Sequence, residues 1–172
     1  HISGKIREMG SVLIPALEQE LTSHANPVVQ KRIDLLIQNI RFEQTCGNLE
    51  QWLTSESKDL LTAATLLCSH QYPDCDVSEQ IIDPVNKISR DIWLELNDNL
   101  TPLEKVKVLN HVIFNIHGFK CSNISNHSIR HLFLNDLLHT KHGNSLSLSL
   151  LYMIVAHNNN IPVMGVNLPN QF

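Results

Sequence analysis

Aromatic residues are scarce, at 5% of 172 positions. A core built from this chain is therefore aliphatic, made mostly of Leu, Ile and Val. Charge is thin as well: Asp, Glu, Lys and Arg make up 17%, with a formal net charge of -4. The Lys and Arg residues are scattered and form no basic run. This argues against a nucleic-acid surface, which needs a clustered positive field. No stretch approaches the roughly 20 apolar residues that span a bilayer, so no membrane partner is expected. The start, His1-Ile2-Ser3-Gly4-Lys5, holds no apolar signal core and reads as a processed end. The four cysteines, Cys46, Cys68, Cys75 and Cys121, contain no CxxC pair. A chain this long and Leu-rich needs no disulfide staples, so free thiols in a reducing cytoplasm are expected.

What is present reads almost entirely as helix. Leu13, Leu17 and Leu21 form one apolar stripe. Asn26-Pro27 marks a turn and a new start, with Pro27 suited to a first helical position. The following stripe runs from Val28 to about Thr45, and Gly47-Asn48 reads as its stop. The two form a short antiparallel pair, one pair being too few for a repeat array. A short helix over Leu49–Leu53 and a longer one over Lys58–Ser69 are expected next. Gln71–Asp76 reads as a loop. Asp76 is placed to cap the following helix and Asp83-Pro84 to re-cap it, before a stripe of Ile88, Ile92 and Leu96. Trp52 and Trp93 fall on helical stripes and are expected in packing contacts.

The clearest local signal is Thr101-Pro102-Leu103-Glu104, a capping box with proline at the first helical position. Its helix runs through Val106, Leu109, Val112, Ile113 and Ile116 and ends at Gly118. Leu132, Leu134, Leu137 and Leu138 form another run before the polar break His139–Gly143. Ser145–Asn159 begins with a period-two alternation, but its apolar continuation is too long for one strand and predicts a buried helix. Val163–Leu168, after Pro162, predicts the one clear strand. A lone strand is not stable by itself, so it needs partners from a longer chain or another molecule.

Several of these segments carry a family pattern. Leu134-Asn135-Asp136-Leu137-Leu138 precedes Gly143-Asn144-Ser145-Leu146-Ser147-Leu148. Then Leu151-Tyr152 and Val155-Ala156 lead to Ile161-Pro162-Val163 and Gly165-Val166-Asn167-Leu168-Pro169. Upstream stand Leu109-Asn110-His111-Val112-Ile113-Phe114 and Gly118-Phe119. From about Lys58 onward the chain resembles SirB-type transglutaminase-like proteins. The resemblance implies a cysteine-proteinase/transglutaminase-like fold. In catalytic relatives, a cysteine at the N-terminus of a central helix is followed by a histidine and an aspartate on adjacent strands. A helix N-terminus favours thiolate, the histidine serves as base and the aspartate orients it.

Carried over position by position, the cysteine place, two residues after Gly143, holds Ser145. The histidine place, one residue beyond Leu168-Pro169, holds Gln171. The chain ends at Phe172, before any aspartate strand. Glutamine does not titrate near neutral pH, and serine without a base is a poor nucleophile. Ser145 is equally suited to cap backbone N–H groups. No cysteine stands near in sequence, since Cys121 falls before the preceding helix.

Other constellations compete. His127 and His131 are four apart, His139 and His142 follow, and Cys121 lies upstream. Together they offer zinc ligands, though the spacing matches no standard finger and a solvated histidine surface is the favoured reading. Cys68 and Cys75 bracket a loop that includes His70 without completing a ligand set. Asp136 is either a site residue or a loop-anchoring carboxylate. Asn158-Asn159-Asn160 reads as a polar helix end, with asparagine tolerating left-handed geometry.

The sequence thus predicts a predominantly helical α+β protein. Residues 1–57 form a helical extension, and residues 58–172 a transglutaminase-like domain truncated after its first core strand. Asn135, Asp136, Gly143 and Asn144 are the expected site-lining residues around the degenerate positions Ser145 and Gln171. The expected function is non-catalytic protein interaction, in keeping with the tetratricopeptide repeats that often follow SirB-type domains. No cofactor or metal is expected. The competing readings are a hydrolase or amide-transfer enzyme using Ser145, with His139 or His142 as base, and a histidine-based metal module.

Overall fold

The computed structural model describes residues 10–23, 26–122 and 132–166. It divides into two compact units, His1–Lys58 and Asp59–Phe172. The first holds a short 3₁₀ turn, Gly10–Leu13, running into α1 (Ile14–Ser23), and then α2 (Pro27–Thr54). Asn26 caps α2 by accepting the Val28 N–H, and Pro27 opens it. The helices pack together, with Arg41 reaching Glu18 at 2.7 Å. The expected stop at Gly47 is not used: α2 continues through it to Thr54 and absorbs the predicted short helix. A glycine inside a helix costs about 1 kcal/mol, too little to break a run with good formers on both sides.

The second unit contains α3 (Leu60–Gln71), α4 (Asp83–Glu95), α5 (Pro102–Asn110), α6 (Leu134–Thr140) and α7 (Ser145–Asn158). Two strands of two residues, β1 (Lys120–Cys121) and β2 (His142–Gly143), pair in parallel. Asp59 caps α3 through Leu61 and Thr62 N–H. Asp76 caps the next helix through Ser78 and Glu79 N–H, as its spacing predicts. Asp83-Pro84 does not restart that helix. A π-helical turn, Ser78–Ile82, runs straight into α4, and this wider turn relieves the clash a proline ring makes with the preceding carbonyl.

The Thr101–Glu104 capping box forms in full. Thr101 N–H donates to the Glu104 carboxylate at 2.8 Å, and Glu104 N–H to the Thr101 hydroxyl at 3.4 Å. The Thr101 hydroxyl, donating to the same carboxylate at 2.7 Å, and then the Thr101 N–H hold the Glu104 carboxyl below its ordinary pKa. Beyond Asn110 the helix widens into a second π segment, His111–Ile116. Leu109, Val112 and Ile113 are buried as expected, but Ile116 is 53% exposed. The wider winding turns it off the stripe that an α-helical period predicts. Gly118 then takes a left-handed φ of 71° and ends the helix.

The core of this unit is aliphatic. Ile81, Val85, Ile88 and Ile92 meet Leu109, Val112, Leu137, Leu151 and Val155, with Phe119 as the one fully buried large aromatic among the described residues. Helix α7 is central: it packs on α3, α4 and α6 and beside both strands. Trp93 is 67% exposed and takes no part in the expected packing. Trp52 is half-buried. Residues 163–166 form no strand, so the predicted element is not made over its described part; residues 167 and 168 lie outside the described residues. No described helix is long and apolar enough to cross a membrane.

Candidate functional site

The resemblance centres on the start of α7, and the chain builds that start from three directions. Lys141 adopts a left-handed φ of 61° and closes α6 by donating its N–H to the Leu137 carbonyl at 2.9 Å. Its ammonium lies 4.4 Å from the Phe119 ring centroid. Burial, and then the nearby Lys87 charge, lower the Lys141 pKa. The chain turns into β2, where Lys120 N–H donates to the Lys141 carbonyl and Ser122 N–H to the Gly143 carbonyl, each at 2.8 Å. Gly143 is buried against α6 and α7. A Cβ there would stand 2.5 Å from Ser147 Oγ and 2.7 Å from Leu137 Cδ1.

Asn144 is the N-cap of α7. Its side chain accepts the Ser147 N–H at 2.9 Å, and the Ser147 hydroxyl donates back to the Asn144 carbonyl at 3.3 Å. Ser145 therefore does not cap. It is the first helical residue, exposed, and its hydroxyl makes no hydrogen bond among the described residues. The fully buried serine is Ser147. Neither proposed base reaches Ser145. The His142 ring pairs with the Thr140 carbonyl at 2.8 Å, and His139 is exposed at the rim of a different cleft. Gln171, His127 and His131 lie outside the described residues.

One neighbour escaped the sequence reading. Cys121, distant in sequence, pairs directly with Gly143 across the parallel ladder. The only hint was the short Lys120-Cys121 segment after the helix-ending Gly118, which by itself reads as loop. Cys121 is exposed, and all four cysteines are free thiols. Among the described residues no group of three or more His, Cys, Asp and Glu converges on a metal-sized point.

The expected lining residues separate. Gly143 and Asn144 form the neck of α7, whereas Asn135 and Asp136 line a cleft of about 510 Å³ with Glu79 and Gln80. Asp136 anchors a loop: its carboxylate accepts the Tyr72 hydroxyl proton at 2.7 Å. The Tyr72 ring meets Phe133 edge-on, 5.5 Å between centroids. Behind it, Cys68 is buried, which raises its pKa; the Asn135 and Leu134 N–H groups act in the opposite sense. A second, apolar cavity of about 310 Å³ lies between Phe114, Leu148, Tyr152 and Val163.

A profile described as transglutaminase-like superfamily matches residues 79–172. A UPF0162 protein of Pasteurella multocida is 32% identical over 77 residues, covering 45% of this chain and 29% of its own. UPF0162 proteins from two strains of Xylella fastidiosa are 27% identical over 119 residues, covering 68% of this chain and 41% of theirs. The chain therefore spans well under half the length of these curated relatives. No solved structure matches it.

Proposed function

The chain belongs to the transglutaminase-like superfamily, and from that premise we propose that it is a non-catalytic, SirB-type member that works by binding other proteins in the cytoplasm. Residues 1–57 are its helical extension and residues 58–172 the transglutaminase-like domain. The observation that carries this reading is the state of Ser145. It stands where catalytic relatives carry cysteine, with an exposed hydroxyl that no described group hydrogen-bonds. Nucleophilic catalysis needs a base within about 3.2 Å or one bridging water. His142 pairs its Nδ1 with the Thr140 carbonyl and makes no hydrogen bond to Ser145, and His139 lines another cleft. Glutamine at position 171 supplies no base either. The helix start is retained as a scaffold, with Asn144 and Ser147 satisfying its backbone.

The test is an assay of the purified chain with glutaminyl peptides and a fluorescent amine, alongside labelling by a serine-reactive fluorophosphonate. The expected result is no turnover, and labelling unchanged in Ser145→Ala. Amide hydrolysis or amine incorporation that disappears in Ser145→Ala would overturn the proposal.

A further inference from the structure

Helix α2 carries two apolar faces, where a surface helix needs one. Ile33, Ile37 and Ile40 are buried on the first. Val28, Leu35, Phe42 and Leu49 recur every seven residues and form a row that, at 3.6 residues per turn, runs roughly opposite those isoleucines. Leu53 extends the row by one turn. Val28, Leu35 and Leu53 are 61%, 48% and 57% exposed. Among the described residues of the unit His1–Lys58, the three isoleucines are the only buried ones. That is a thin core, and small units commonly complete theirs by association.

Charge selects what covers the row. Arg32 and Glu50 are both exposed, and neither has an ion-pair partner among the described residues. They stand eighteen residues apart, which is five whole turns, so both flank the row on the same side. A second copy of α2 laid antiparallel brings its Glu50 level with Arg32 and its Arg32 level with Glu50. In that register Val28 comes within one residue of level with Leu53. Leu35 comes equally near Cys46, a half-buried thiol on the row. A parallel copy would set Arg32 against Arg32 and Glu50 against Glu50, where like charges repel. The antiparallel pair is two-fold and self-complementary, so it closes as a dimer. We propose that α2 pairs antiparallel with α2 of a second copy along Val28, Leu35, Phe42, Leu49 and Leu53, making this chain a homodimer. The pairing does not depend on the state of Ser145.

The test is sedimentation equilibrium of the purified chain over roughly a hundredfold range of concentration. A monomer–dimer equilibrium is expected, and the double variant Leu35→Asp, Leu53→Asp should be monomeric throughout. Arg32→Glu alone and Glu50→Arg alone should each raise the dissociation constant about fivefold or more, because both ion pairs become repulsive. The two charge changes together should restore it, since each pair is then re-formed with its signs exchanged. If the double Asp variant fails to fold by circular dichroism, the exposed Arg32→Glu and Glu50→Arg variants carry the test. A monomer at every concentration overturns the proposal, whether the row then stays open or is taken by another protein. So does a dimer that Leu35→Asp, Leu53→Asp leaves intact. A combined charge swap no tighter than the single variants overturns the antiparallel register.

Discussion

A methyl group added to Gly143 would press on the Ser147 hydroxyl and the Leu137 side chain at distances below van der Waals contact. Gly143→Ala is therefore expected to lose about 1–3 kcal/mol, as overpacked sites do. A urea midpoint equal to that of the parent would show that the neck relaxes freely. The two residues that follow should separate cleanly. Asn144→Ala removes the cap of α7 and should cost about 1 kcal/mol. Ser145→Ala removes an exposed, unengaged hydroxyl and should stay within about 0.5 kcal/mol. Equal losses in the two variants would contradict the assignment of the cap. Gly143 was legible from sequence as the glycine that opens the helix. The cap was not, because asparagine and serine serve equally and only the extended backbone of Asn144, with ψ at 178°, decides between them.

At the scale of the element, the capping box of α5 gives a pH signature. The Glu104 carboxyl titrates below its ordinary value of 4.5, because hydrogen bonds from Thr101 favour the charged form. A depressed folded pKa contributes stability that is present above the unfolded value and is lost as pH falls through the folded one. Glu104→Gln should thus lower the melting temperature at neutral pH, and the difference from the parent should shrink in acid. A difference that stays constant from neutral pH to well below 4.5 would reject the box as its source. Helix starts such as Asn26-Pro27, Asp76 and Thr101 were legible because capping is local chemistry. The π segments were not, since nothing in His111–Ile116 marks a wider winding, and Ile116 was placed inward on an α-helical period. Residues 163–166 carry a strand composition, but a strand exists only through its partner, and composition does not supply one.

At the scale of the whole molecule, the aliphatic core from Ala64 to Ile161 lies entirely within residues 59–172. That unit on its own is expected to unfold in one cooperative thermal transition, followed by far-UV circular dichroism. A gradual, non-cooperative melt would show that it depends on the preceding residues. The aliphatic core was legible from composition and helical stripes. The contacts that shape the candidate site were not: Tyr72 with Asp136 and Cys121 with Gly143 join residues far apart in sequence. Each depends on how helices pack, which local pattern does not encode.

The parallel pairing of 120–121 with 142–143 closes a stretch of chain that includes α6 into a ring. No tight turn can make such a pairing, so its closure entropy must be met before any ladder bond forms. During refolding the ring should close only after α6 has docked, making the neck of α7 a late feature of an otherwise fast, local helical assembly. In pulsed hydrogen exchange the Lys120 and Ser122 amides should gain protection after those inside α7. Their earlier protection would place the ring in the folding nucleus. If the ring closes late, the start of α7 is expected to open more readily than the helix behind it.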